Sequence, residues 1–158
     1  MIEDTLKGAN THVAVLDGTV LDALGQLQGK YNAEFVARMI TMFMETALVL
    51  LIRLKEGLAN GDFVALNHAS HELKSCSATI GAYSLAAHCE QLESMVRERF
   101  ALNPASSVEA IGIEYRRVEA ALIGRLAGLD LDQSNRAPQI TTTSLQPAPS
   151  RNLGKETR

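Results

Sequence analysis

The chain has 158 residues, 46% hydrophobic and 21% charged, which suits one domain with a core of its own. It has no Trp and only 4% aromatic content, so the core must come from Leu, Ile, Val, Met and Ala, a composition that favours helix over sheet. The net charge of −3 argues against a nucleic-acid partner, and two cysteines without a signal peptide argue against a disulfide scaffold and for a reducing, cytoplasmic setting.

Residues 1–12 carry no strong pattern and are expected to be a loose end. Asp17 is the first N-cap candidate. Val20, Leu21, Leu24 and Leu27 follow at helical spacing, and Gly29 stops a short helix near 18–28. Asn32 is the next cap. Phe35, Met39, Phe43, Ala47, Leu50, Leu54 and Leu58 then recur every three or four residues, predicting a helix over 33–59 that ends at Asn60-Gly61. Its most apolar run, Met39 to Ile52, is shorter than the roughly 20 residues that span a bilayer and is broken by Glu45, so a buried helix is expected and no membrane span.

Asp62 caps a third helix, 62–80, and Gly81 marks its end. A fourth, 83–99, carries Leu85, Cys89, Leu92 and Val96 on one stripe. Asn103 to Ser107 reads as a turn. Ser106 and Glu109 have capping-box spacing before a fifth helix, 107–127, with Val108, Ile111, Tyr115, Val118, Leu122 and Leu126. Residues 137–150 hold three of the four prolines, so 131–158 is expected to be a disordered tail and 13–130 the folded domain. Long helices, short loops and no strand pattern imply an all-α antiparallel four-helix bundle with a short extra N-terminal helix.

The third helix holds the unusual stretch "SHELKSCSATIGA", Ser70 to Ala82. At about 100° per residue, Leu66, Ala69, Leu73, Cys76 and Ile80 share one face and His71 falls nearly opposite. Lys74 and Ser75, at i+3 and i+4, neighbour His71, with Asn67 and His68 one turn before and Ala78 beyond Lys74. An accessible neutral imidazole is a good nucleophile, Lys74 can offset negative charge on a group attached to it, and small Ser75 leaves room for another protein.

"HELKSCSATIGA" resembles the signature of histidine phosphotransfer (HPt) domains. His71, Leu73, Lys74 and Gly81 match that pattern, and Leu16-Asp17, "NGDF" (Asn60 to Phe63) and "GAYSLAAHCEQLE" (Gly81 to Glu93) extend the likeness over about residues 13–127. Ser75-Cys76 departs from it, standing where Gly-Ser is usual. The resemblance implies a four-helix bundle in which His71 takes a phosphoryl group from an aspartyl phosphate on a receiver domain and passes it to another receiver. It implies response-regulator receivers and a hybrid sensor histidine kinase as partners. Mg²⁺ is then expected on the receiver and no cofactor on this chain. Lys74 would give electrostatic support, Asn67, Ser75 and Ala78 would receive the docking partner, and the chain would act as a monomeric phosphocarrier with no ATP site.

The alternative is a helical adaptor that binds a receiver or kinase without transferring phosphate; the presence of both His71 and Lys74 favours transfer. His68 and His71, with His88 and Cys89, lack the closer, repeated spacings of a metal site. Cys76 and Cys89 fall on apolar stripes and are expected in the core. Arg97 and Arg99 are expected to close the fourth helix. His12, His68 and His88 have no Lys at i+3, so none is expected to be an acceptor.

Overall fold

The computed structural model describes residues 14–27, 32–98 and 104–136, and those residues form helices without a strand. The helices are α1 (Gly18–Gln26), α2 (Ala33–Asn60), α3 (Phe63–Thr79), α4 (Tyr83–Arg97) and α5 (Pro104–Arg136). The three aspartate and asparagine caps expected from sequence each do their work. The Asp17 carboxylate accepts from the Thr19 amide at 3.0 Å, Asn32 Oδ1 from Phe35 at 2.9 Å, and Asp62 Oδ1 from Ala65 at 2.9 Å.

Helix ends follow the glycines. Gly61 has φ +65° and Gly81 has φ +82°. At Gly81 the end of α3 is closed by Ala82 N–H donating to Ser77 C=O at 2.8 Å and Gly81 N–H to Ala78 C=O at 3.1 Å, the paired bonds of a Schellman motif. Gly81 has a second duty. Its carbonyl accepts from the Asp17 amide at 3.0 Å, and a Cβ added there would lie 2.7 Å from the Asp17 carbonyl oxygen. The glycine therefore lets the entrance to α1 lie against the α3–α4 turn.

α2 packs on α3 and α5, and α4 packs on the same two, closing a ring of four; α1 lies against α2. The Arg125 guanidinium donates to the Asp22 carboxylate, tying α5 to α1. The core is aliphatic: Val36, Ile40, Phe43, Ala47, Leu50 and Leu54 from α2 meet Leu66 and Leu73, Leu85 and Leu92, and Ile111, Val118 and Leu122 from the others. α2 is long and apolar enough to cross a membrane by length and composition, but its buried stripe is part of this core.

The structure departs from the sequence reading at several points. On α2 the buried positions begin at Val36 and Ile40; Phe35 and Met39, expected there, are half-buried. The observed spacing alternates four and three residues from 36 to 57, so a stripe counted back from Phe43 belongs one residue later than Phe35 and Met39. α5 begins at Pro104, before the expected capping box. A proline suits the first helical position because its missing N–H would have no intrahelical partner, and Ser106 then lies inside the first turn. α5 also runs to Arg136, past the expected boundary at 130. The composition change at Asp130 does not interrupt the helical backbone. The expected loose end at 1–12, the stop at Gly29, Arg99 and residues 137–158 lie outside the described residues.

Candidate functional site

α3 turns Leu66, Ala69 and Leu73 fully inward, which carries His71 outward. Its side chain is 64% exposed. The neighbours fall as helix geometry requires: Ser75 is exposed, Asn67, Lys74 and Ala78 are half-buried. The Ser75 hydroxyl donates to the His71 carbonyl at 3.0 Å, which folds the small side chain back on its own helix and leaves the ring uncovered.

The site is completed from α4. Glu93 is buried, and its carboxylate reaches α3 with one oxygen toward Lys74 and the other toward His71. Oε2 accepts from Lys74 Nζ at 2.7 Å, and Oε1 stands 3.4 Å from His71 Nδ1. The second contact is at ion-pair distance without hydrogen-bond alignment, so Oε1 is a buried acceptor with no hydrogen bond of its own.

The sequence places Lys74 beside His71, on the side of α3 away from the core. The structure instead leans it across onto α4, where its side chain is 27% exposed against 7% for Glu93. Glu93, which touches both Lys74 and His71, was not singled out from the sequence. One signal was available: it lies next to Leu92 and four residues after Cys89, so it interrupts the apolar stripe of α4 with a carboxylate that must find a partner. Ser70 and Ser77 are also fully buried on α3; the Ser70 hydroxyl donates to Asn67 C=O at 3.1 Å.

His71 sits on an open helix face. A depression of about 450 Å³ opens on the neighbouring α2–α3 surface, lined by Arg53, Glu56, Asp62, Val64, His68 and Glu72, but His71, Lys74 and Glu93 do not line it. The imidazole therefore meets whatever a partner brings to it. Among the described residues no three His, Cys, Asp or Glu side chains are grouped as a metal site. Cys89 is buried and Cys76 half-buried, as the apolar stripes implied; burial pushes the Cys76 thiol up and the Cys89 thiol up to about 12. Arg97 stands in the last turn of α4, where a cation suits the helix C-terminus.

The profile of the Hpt domain family matches residues 38–127, more than half of the chain. No curated protein sequence matches. Among solved structures, the crystal structure of histidine-containing phosphotransfer protein B (HptB) from Pseudomonas aeruginosa PAO1 superimposes with a TM-score of 0.66 at 25% identity, over 72% of this chain and 95% of that one. An all-α bundle, a solvent-facing histidine on its central helix and the family match agree: the chain belongs to the Hpt domain family and is a histidine phosphotransfer protein, a phosphocarrier of a phosphorelay.

Proposed function

We propose that His71 is the phosphoacceptor, taking a phosphoryl group from a receiver-domain aspartate and passing it to another receiver. The observation that carries this reading is the exposed ring whose Nδ1 faces the buried Glu93 carboxylate at 3.4 Å. With the ring proton on Nδ1, the Nε2 lone pair attacks the phosphorus of the acyl phosphate. The N–P bond forms, the P–O bond to aspartate breaks, and the aspartate leaves with the electron pair as a carboxylate. The ring gains positive charge during transfer, opposite the Glu93 carboxylate, which favours the charged product. The reverse sequence discharges the group to the second receiver.

Asn67, Ser75 and Ala78, around His71 on α3, form the docking face, and Lys74 supports the site electrostatically. A hybrid sensor histidine kinase supplies the phosphoryl group through its receiver. ATP binding and Mg²⁺ belong to those partners, and this chain needs no cofactor, nucleic acid or membrane. It works as a cytoplasmic monomer in transient complexes, as suits signalling encounters with small interfaces. The test is incubation with radiolabelled, phosphorylated receivers of the source organism. The expected product is an acid-labile, base-stable phosphate on His71. Labelling of His71→Gln at the wild-type rate would overturn the assignment, and no labelling of the wild type by any receiver would leave a binding adaptor.

A further inference from the structure

We propose that the depression between α2 and α3 is a recognition subsite for the receiver: it takes an apolar side chain of the partner and pairs its carboxylate rim with a Lys or Arg beside that side chain. The inference rests on the reading of His71 as the phosphoacceptor, and it adds the flank of the histidine on which the partner sits and the chemistry the partner must bring.

The two flanks of His71 differ. Lys74 leans onto Glu93 of α4, whereas Glu72 faces Arg53 of α2 at 3.7 Å. At about 100° per residue, His68, Glu72, Ser75 and Thr79 therefore run along the α2 side of α3. The depression of about 450 Å³ opens on that side, and Glu72, the residue after His71, is in its lining. A partner that covers the imidazole reaches the depression without a gap. Large apolar side chains share this surface. Val64 in the lining is 69% exposed, and Val49 and Ile52, at 50% and 56%, lead along α2 to Glu56, which is also in the lining. Exposed apolar side chains around a concavity mark a place where another protein removes area from water.

The hydroxyls on this flank offer only acceptors. Ser75 Oγ donates to His71 C=O at 3.0 Å and Thr79 Oγ1 to Ser75 C=O at 2.9 Å, which uses both protons inside α3 and leaves the oxygen lone pairs for a partner. In the depression three carboxylates, Glu56, Asp62 and Glu72, stand against one guanidinium, Arg53. Arg53 is matched by Glu72, and Asp62 caps α3, so Glu56 is left with no hydrogen bond or ion pair among the described residues. This excess of acceptors and negative charge selects a partner that brings cationic donors.

The test is calorimetric titration of the full-length chain with the receiver domains of the source organism, at about 50 mM and about 500 mM salt. For the receiver that binds most tightly, Glu56→Lys is expected to weaken affinity about fivefold at the lower salt and less than about twofold at the higher, because an exposed charge pair is screened. Val64→Ser removes an apolar contact and is expected to weaken affinity about fivefold at both. Both side chains are exposed, so both variants are expected to keep the wild-type fold by circular dichroism. Glu109→Lys makes the same charge change on α5, across the bundle from α3, and is expected to bind within about twofold of wild type.

Affinity within about twofold of wild type, or tighter, for either Glu56→Lys or Val64→Ser at the lower salt overturns the proposal and moves the footprint to the α3–α4 flank. A loss from Glu109→Lys equal to that from Glu56→Lys overturns it as well, since net charge then accounts for the effect. Absence of binding by every receiver overturns it outright. A wild-type chain that binds receivers but takes no phosphoryl group from them strikes the phosphoacceptor reading instead, and the affinities of the variants still decide the subsite.

Discussion

At the scale of single residues, His71 combines exposure with a buried carboxylate 3.4 Å from its ring. His71→Gln keeps a polar side chain but removes the nucleophilic nitrogen. Because the side chain is 64% exposed, the expected change in stability is within about 0.5 kcal/mol, with complete loss of phosphoryl acceptance. Phosphotransfer and thermal unfolding, run on the same preparation, check both parts. The cysteines offer a separate reading of the core. Burial raises both thiols, Cys89 to about 12, so the neutral form persists across the ordinary range and the reactive thiolate appears only as pH climbs toward those raised values. Native chain treated with iodoacetamide at about pH 8 should therefore leave Cys89 unmodified until denaturant is added. Rapid native alkylation of Cys89, read by peptide mass, would contradict its placement between α3 and α4.

At the scale of elements, α3 has one face in the core and one toward solvent, and its ends decide where each points. Ser75 is exposed one turn from His71, and its hydroxyl bonds only within its own helix. Ser75→Tyr is expected to leave helicity by circular dichroism unchanged and to slow transfer from a receiver by at least about tenfold, since a bulky ring at a small interface costs more than about 1.4 kcal/mol. Transfer at the wild-type rate would move the docking face elsewhere. The turn after α3 is stricter. Gly81→Ala must place a Cβ on a residue at φ +82° and 2.7 Å from the Asp17 carbonyl oxygen. The backbone term alone is about 1–2 kcal/mol, and the clash adds to it. A fall in Tm of roughly 5–10 °C is expected by calorimetry, with His71 chemistry intact.

For the whole molecule, the boundary of the folded unit follows α5. Leu129 is buried at 5% exposure, beyond the last turn expected from sequence, and Tyr115 on the same helix donates to Met44 C=O across the α2–α5 contact at 3.4 Å. A chain ending after Arg136 should match the full chain in Tm within the error of calorimetry, since residues 137–158 hold three prolines and few large apolar side chains. A chain ending at residue 127 loses Leu129 and should be less stable by about 2–4 kcal/mol. Equal stability of the two truncations would place the end of the folded unit at 127, where periodicity alone ended the fifth helix.

What could be read from sequence is what the chain determines locally. The caps at Asp17, Asn32 and Asp62 depend on a side chain and an amide two or three residues away. The exposure of His71 follows from the fixed angle between successive residues on a helix whose opposite face is Leu66, Ala69, Leu73 and Ile80. The HPt resemblance was carried by that segment and by short stretches before and after it. Tertiary structure alone decided which of two adjacent stripes on α2 meets its neighbours, because both are apolar and only packing distinguishes them. It alone brought Glu93 to Lys74, 19 residues earlier in sequence, and to His71 beside it. Periodicity reports which side of a helix is buried, but a carboxylate's partners across an interface depend on how two helices are set against each other, and that is a property of the assembled core.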